Sequence, residues 1–171
     1  MDIGMPLEPG EKSPWHGRLE AMAKAIPSGS HVLDIGAGGQ GLRSLLPEGC
    51  SYTPLDKECA NGISLDLEVA LEIPAKADIA VMSGVLEHVY RPIHALRLAI
   101  DVAPKLVLSY ATLAKGQHPS AGRDGWRTHL SVGELTLVLE ALGYRNVEKI
   151  AEWKAQEIFC AYRYPHPAAV V

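Results

Sequence analysis

Apolar residues recur along this chain with two alternating periods, and the alternation lays out an order of helices and strands. Trp15, Leu19, Met22 and Ile26 return at helical spacing behind Ser13-Pro14, an N-cap followed by proline at the first helical position. The pattern predicts an amphipathic helix that ends at Pro27-Ser-Gly-Ser30. Val32-Leu-Asp-Ile35 is then a short apolar run entering a glycine cluster, as expected for a buried parallel strand that feeds a tight turn. Gly41 to Leu46 predicts a brief helix stopped by Pro47, and Ser51-Tyr-Thr-Pro-Leu-Asp56 predicts a second strand ending on a carboxylate. Ile63 to Leu67 reads as a short third element, and Ala77 to Met82 as a further buried strand broken by Ser83-Gly84.

The second half continues the alternation. Pro92 opens a helix whose apolar stripe is Ile93, Leu96, Ile100 and Ala103, closed by Pro104, and Lys105 to Tyr110 is the next strand. Leu113 to Thr128 has no periodicity and is rich in Gly, Pro, Lys, Arg and His; a long loop in a compact domain is expected to be functional, here as a substrate lid. Ser131-x-x-Glu134 is a capping box for a helix with Leu135, Val138, Leu139 and Leu142 on its buried stripe and Gly143 just past its end. Tyr144 to Ile150 and Glu157 to Tyr164 alternate apolar and polar residues around Glu152-Trp153-Lys154, which predicts paired antiparallel end strands. The expected fold is a three-layer α/β/α sandwich, a mostly parallel Rossmann-like sheet with an antiparallel C-terminal strand. It forms a single domain over 1–171, with 1–12 loose and 165–171 a flexible tail.

Composition narrows the class of partner. A hydrophobic content of 47% over 171 residues suffices for one sheet buried between helices. The formal net charge of -4, with Lys and Arg scattered, argues against a nucleic-acid footprint and leaves small-molecule or protein substrates. Cys50, Cys59 and Cys160 are odd in number and far apart, which speaks against a disulfide framework or structural zinc and fits a reducing cytoplasm. Met1 to Lys12 lacks the basic start and apolar run of a signal peptide, and no apolar stretch is long enough to cross a bilayer. Nothing in the sequence sets the oligomeric state.

In a parallel sheet of this kind the ligand lies beyond the carboxyl ends of the strands, where the strand order reverses, and the glycine loop after the first strand is there. Gly36, Gly38 and Gly41 satisfy the dinucleotide spacing G-x-G-x-x-G, and Asp56 lies about twenty residues on, where that fingerprint puts its ribose-binding acid. Against an NAD reading stands Asp34, a poor neighbour for a pyrophosphate, and the absence of length for a substrate domain.

Val32-Leu-Asp-Ile-Gly-Ala-Gly38 resembles the first motif of class I S-adenosylmethionine-dependent methyltransferases. Asp78-Ile-Ala-Val-Met-Ser-Gly-Val-Leu-Glu-His-Val89 is similar to the strand-four motif of their small bacterial members, and Gly125-Trp-Arg-Thr-His-Leu-Ser131 to a later segment. The resemblance implies S-adenosylmethionine as cofactor. Its amino-acid end would lie on Asp34, Gly36, Ala37 and Gly38, its ribose hydroxyls on Asp56, its adenine beside Asp66 and Leu67, and its methionine part beside Ser83 and Gly84. The third glycine of the family's G-x-G-x-G falls on Gln40, so the loop is expected to turn differently there.

Individual residues keep a second reading. Asp34 either touches the ligand or caps the glycine turn, and Asp66 either meets adenine or binds its own backbone. His88 either takes a substrate proton or caps the helix begun by Pro92; His129 is the other candidate base. His118, Tyr110 and Arg123 are placed to orient a substrate, whereas Trp126 reads as a hydrophobic anchor for the loop rather than a stacking platform. The expected reaction is methyl transfer to a small-molecule or sugar acceptor by in-line displacement, with no nucleic acid, membrane or metal involved. An NAD-dependent oxidoreductase and a non-catalytic binding subunit of the same fold are the alternatives.

Overall fold

The computed structural model describes residues 14–113 and 125–163. Ser13, His118, Arg123 and most of the expected lid, with segments 1–12 and 165–171, lie outside the described residues. The chain runs α1 (His16–Ala23), β1 (His31–Ile35), a 3-10 turn at Arg43–Leu45, β2 (Ser51–Asp56), β3 (Ile63–Ser64), β4 (Ile79–Ser83), α2 (Pro92–Val102), β5 (Lys105–Tyr110), α3 (Val132–Ala141), β6 (Arg145–Trp153) and β7 (Gln156–Tyr162). The expected element order is therefore observed, with α1 starting at His16, behind a turn at Pro14 and Trp15.

The strands form one seven-stranded sheet in the order β3-β2-β1-β4-β5-β7-β6. All neighbours are parallel except where β7 runs antiparallel to both β5 and β6. The order turns back on itself between β1 and β4, so loops leaving their carboxyl ends diverge and open a crevice. Burial on both faces explains why β1 and β4 read as continuous apolar runs rather than alternating ones. Leu33, Ile35, Ala80, Met82, Leu106 and Leu108 face one core with α2 and α3, where Leu96, Ala99, Leu135 and Leu139 meet them. Val32, Ile79, Val81, Val107 and Ile158 face the other, closed by Leu19 and Met22 of α1. Three layers result, as the pattern implied.

Two local expectations change. Ile93 is 54% exposed rather than core, because the buried face of α2 is set by Ala95, Leu96, Leu98, Ala99 and Val102. Glu152 and Trp153 belong to β6, and Trp153 pairs with Gln156, so the hairpin closes through Lys154 and Ala155 with Lys154 at φ 53. The edge strand β6 carries two register shifts and the charged side chains Arg145, Glu148, Lys149 and Glu152, a common protection against edge pairing.

The capping box forms in full. Ser131 Oγ accepts from the Glu134 backbone N–H at 3.3 Å, and the Ser131 N–H donates to the Glu134 carboxylate at 2.8 Å. Gly143 follows the helix at φ 100, a left-handed conformation that its lack of a Cβ allows. Because α3 buries Leu135 and Leu139 in the core, Ser131→Ala should lower unfolding stability by about 1 kcal/mol. Urea denaturation would check this; an unchanged midpoint would mean that the box contributes nothing.

Candidate cofactor crevice

The loop after β1 is built by backbone bonds to β2. The N–H groups of Gly36 and Ala37 both donate to the Leu55 carbonyl, at 2.7 and 3.0 Å, and the Gly38 N–H donates to Asp56 Oδ2 at 2.8 Å. Asp56 Oδ1 accepts from the Lys57 N–H at 2.7 Å. Asp56, not Asp34, therefore fastens the glycine turn, and the capping alternative for Asp34 is replaced. Gly36 sits at φ 76, and a Cβ there would meet Val85 Cγ2 at 2.5 Å, so both conformation and contact require glycine. Gln40, where the third glycine was expected, adopts φ 57 itself and is buried, its N–H donating to the Ala37 carbonyl at 2.8 Å. The loop accommodates the departure by a left-handed glutamine.

Asp34 points to the α1 face of the sheet and is 3% exposed. The Tyr52 hydroxyl donates to its Oδ2 at 2.7 Å. Burial raises its pKa to about 6 against the Tyr52 bond that lowers it, with Asp56 also raising and Arg18 lowering. Burial and the neighbouring Asp34 push the Tyr52 phenol well above its ordinary range.

Arg18 is the residue that sequence reasoning missed. It occupies a buried position of α1, 6% exposed, with its guanidinium over Gly84 at the end of β4. Gly84 is at φ 65, and a Cβ there would lie 2.6 Å from Arg18 Nη1, so this glycine makes room for the cation. Arg18 Nη1 donates to Gln156 Oε1 at 2.7 Å and Nη2 to the Ser83 carbonyl at 3.3 Å, while Nε has no partner among the described residues. No carboxylate among them lies in ion-pair contact with it. Burial lowers its pKa, and the more distant charges of Glu87 and Asp34 oppose that. Its sequence signal is position: an arginine between Trp15 and Leu19 on the apolar stripe of a helix.

Glu87 is wholly buried behind β4. Its Oε1 accepts from the Ala111 N–H at 2.9 Å and from Gln156 Nε2 at 3.3 Å, and Oε2 has no partner among the described residues. Burial raises its pKa, against backbone hydrogen bonds and the charges of His88 and Arg18. Ser83 Oγ and its register neighbour Ser109 Oγ are also buried without partners among the described residues. Tyr52, Asp34, Ser83, Ser109 and Gln156, from five strands, thus line the α1 face of the sheet's carboxyl edge, with Arg18 across them.

The other expected residues divide. Asp66 turns its carboxylate on its own loop, accepting from the Glu68 N–H at 2.9 Å and pairing with Lys57 at 2.9 Å, which lowers its pKa. Leu67 is buried in the core beside it. His88 is exposed, and α2 has no side-chain cap, so the helix-capping alternative for His88 is not realised. His129 is half-buried with Nδ1 unpartnered among the described residues. Its segment crosses the end of β4, where the Arg127 N–H donates to the Glu87 carbonyl at 2.6 Å and Thr128 Oγ1 to the Leu86 carbonyl. Tyr110 is wholly buried and pins that segment, donating to Thr128 Oγ1 at 3.3 Å and accepting from the Leu130 N–H at 3.0 Å. Trp126 is half-buried. Among the described residues no cluster of metal-ligating side chains occurs, and no helix is long and apolar enough to cross a membrane.

Comparison with known proteins agrees with this geometry. The sequence pattern of a family described as a methyltransferase domain matches residues 11–149. Among curated proteins none matches. Solved structures share the fold: human N-acetylserotonin methyltransferase in complex with S-adenosylmethionine is 15% identical with a TM-score of 0.66, covering 87% of this chain and 52% of its own. The calicheamicin-biosynthesis methyltransferase CalO1, bound to S-adenosylhomocysteine, is 18% identical with a TM-score of 0.64, covering 86% and 54%. A putative methyltransferase complexed with the Haloferax volcanii Trm112 activator is 16% identical with a TM-score of 0.66, covering 89% and 90%. The chain spans about half the length of the first two.

The charge state of Asp34 has a measurable consequence. An aspartate ordinarily ionises at 3.8 and this one at about 6, so the folded state is penalised as the carboxyl ionises. The favourable contribution is whole below the lower value, declines between the two and is gone above the higher, a difference of about 3 kcal/mol. Asp34→Asn keeps an acceptor for Tyr52 without the charge, so the variant should gain on the parent protein as pH rises from 4 to 7. Urea denaturation across that range checks it; parallel pH profiles would contradict it.

Proposed function

The chain belongs to the methyltransferase-domain family, and on that premise we propose that its crevice holds S-adenosylmethionine and delivers the methyl group to a small-molecule or sugar acceptor. The observation that carries the cofactor reading is the buried pairing of opposite charges without contact: Arg18 with no ion-pair partner among the described residues, and Asp34 on the same face. A buried cation left uncompensated is costly, so a ligand end bearing both a carboxylate and an ammonium complements the site. A pyrophosphate brings only negative charge, which Asp34, Asp56 and Glu87 disfavour. An all-parallel second half, usual in dinucleotide-binding sheets, is here replaced by the antiparallel β7.

On this reading Arg18 takes the carboxylate, and Asp34 with the glycine loop takes the ammonium. Asp56 accepts from the ribose hydroxyls: each oxygen already accepts one backbone N–H, which fixes the carboxylate plane and leaves lone pairs free. Leu67, packed in the core beside Asp66, backs the loop that the adenine would meet. Asp66 contributes through the turn it holds. The cofactor when bound supplies a methyl already activated on a sulfonium. The protein's own task is then alignment and exclusion of water, carried by the rigid loops at Gly36 to Gly38 and Ser83-Gly84. Of the two candidate bases His129 is favoured over His88, because it is half-buried, with Nδ1 unpartnered among the described residues, on the segment crossing β4. Three free thiols suit a reducing compartment, the cytoplasm.

Calorimetric titration with S-adenosylmethionine and with NAD decides between cofactors. Saturable heat is expected for the first and none for the second, and Asp56→Ala should weaken binding by about 10- to 100-fold, the loss of one or two hydrogen bonds to a charged group. Heat for NAD alone would overturn the reading, and heat for neither would remove the enzyme reading altogether. Formation of S-adenosylhomocysteine across a panel of hydroxyl and amine acceptors then identifies the methyl acceptor.

A further inference from the structure

We propose that Gln156, the first residue of β7, is the positioning residue that aims Arg18 at the cofactor's carboxylate, with Glu87 fixing the direction of its amide. The inference rests on the reading that Arg18 takes that carboxylate. It deepens it by assigning a role to a hairpin remote in sequence from every other part of the crevice.

A guanidinium on a flexible stem has to be held before it can act as a fixed anion site, and among the described residues no carboxylate is in ion-pair contact with Arg18 to hold it. Its restraint comes from the Ser83 carbonyl at 3.3 Å, the close floor of Gly84, the face of Trp15 at 4.8 Å and the Gln156 amide oxygen at 2.7 Å. The last is the shortest and the best placed to select one rotamer. An amide serves in that role only if its oxygen, rather than its NH2, faces the arginine. Glu87 imposes this orientation. Its Oε1, tethered by the Ala111 N–H at 2.9 Å, accepts from Gln156 Nε2 at 3.3 Å, so the amide's donors are turned to Glu87 and its acceptor is left for Arg18. An amide is the side chain that meets both demands: a carboxylate at 156 would oppose Glu87, and an amine would oppose Arg18.

A neutral tether also keeps the anion site open. Had Glu87 reached Arg18 directly, the pair would be self-satisfied and a ligand carboxylate would have to displace it. Interposing Gln156 holds Arg18 in place without neutralising it, and Arg18 Nε remains unpartnered among the described residues.

The test compares two probes, S-adenosylmethionine and its decarboxylated form, titrated by calorimetry into the full chain and into Gln156→Met, which keeps the length of the side chain without its hydrogen bonds. Gln156→Met should bind S-adenosylmethionine about tenfold more weakly while binding the decarboxylated probe as the parent protein does, the loss expected of one hydrogen bond to a charged group. Gln156→Asn, too short to span both partners, should show the same selective loss and serves if the methionine variant fails to fold. Equal affinity of variant and parent for S-adenosylmethionine would overturn the proposal, as would an equal loss for both probes, which is the mark of a merely structural role. Failure of the parent protein to bind S-adenosylmethionine would instead remove the cofactor reading, and this inference with it.

Discussion

A positive charge buried without a matching carboxylate among the described residues governs the rest of this crevice. Arg18 is carried into the sheet's carboxyl edge by α1, whose apolar residues Leu19 and Met22 are committed to the core beneath it. Everything around it is arranged to hold the cation without cancelling it: a glycine where a side chain would collide, a backbone carbonyl, and an amide in place of an acid. Each buried polar atom left without a partner costs about 1–3 kcal/mol, and four that have none among the described residues, on Arg18, Ser83, Glu87 and Ser109, gather in this one region. Such a concentration is unfavourable for an empty fold and suited to one completed by a polar ligand.

The same constraint explains why the crevice depends on elements from both ends of the chain. Trp15 and Trp153 meet edge to face at 6.0 Å, and the indole of Trp153 fills the space left by Gly17. The β6–β7 hairpin is thereby seated against α1, which brings Gln156 to Arg18. On the opposite side of the switch point, the glycine loop is tied to β2 by Leu55 and Asp56, so the proposed ribose site and the proposed amino-acid site lie on different strands of one sheet.

Much of this was legible in the sequence because it follows from local periodicity. The bounds of β2 and β5, the capping box at Ser131 and the acid at the end of β2 all follow from a few adjacent residues whose physics is self-contained. The first motif and Asp56 were recognisable for the same reason. What escaped depends on sheet order. Arg18 and Gln156 are 138 residues apart, and only the antiparallel pairing of β7 with β5 brings them together. Glu87 was visible within Leu86-Glu-His88, but its neighbour His88 drew the chemical reading, whereas the fold buries the acid and exposes the histidine. Asp34 kept two readings in the sequence, ligand contact or turn cap, because aspartates beside glycines often cap; here Tyr52, from the adjacent strand, bonds it and the cap is made by Asp56.

Replacing the cation itself is the most direct test of the claim that it is retained for a ligand. Arg18→Met preserves much of the buried stem and removes the charge, a change that is often neutral or stabilising at buried ionic sites. The variant is expected to be at least as stable as the parent in urea while its affinity for S-adenosylmethionine falls by about tenfold or more, the loss of a charge-assisted contact. A variant that is strongly destabilised yet binds S-adenosylmethionine with undiminished affinity would contradict the claim and make Arg18 a structural residue alone.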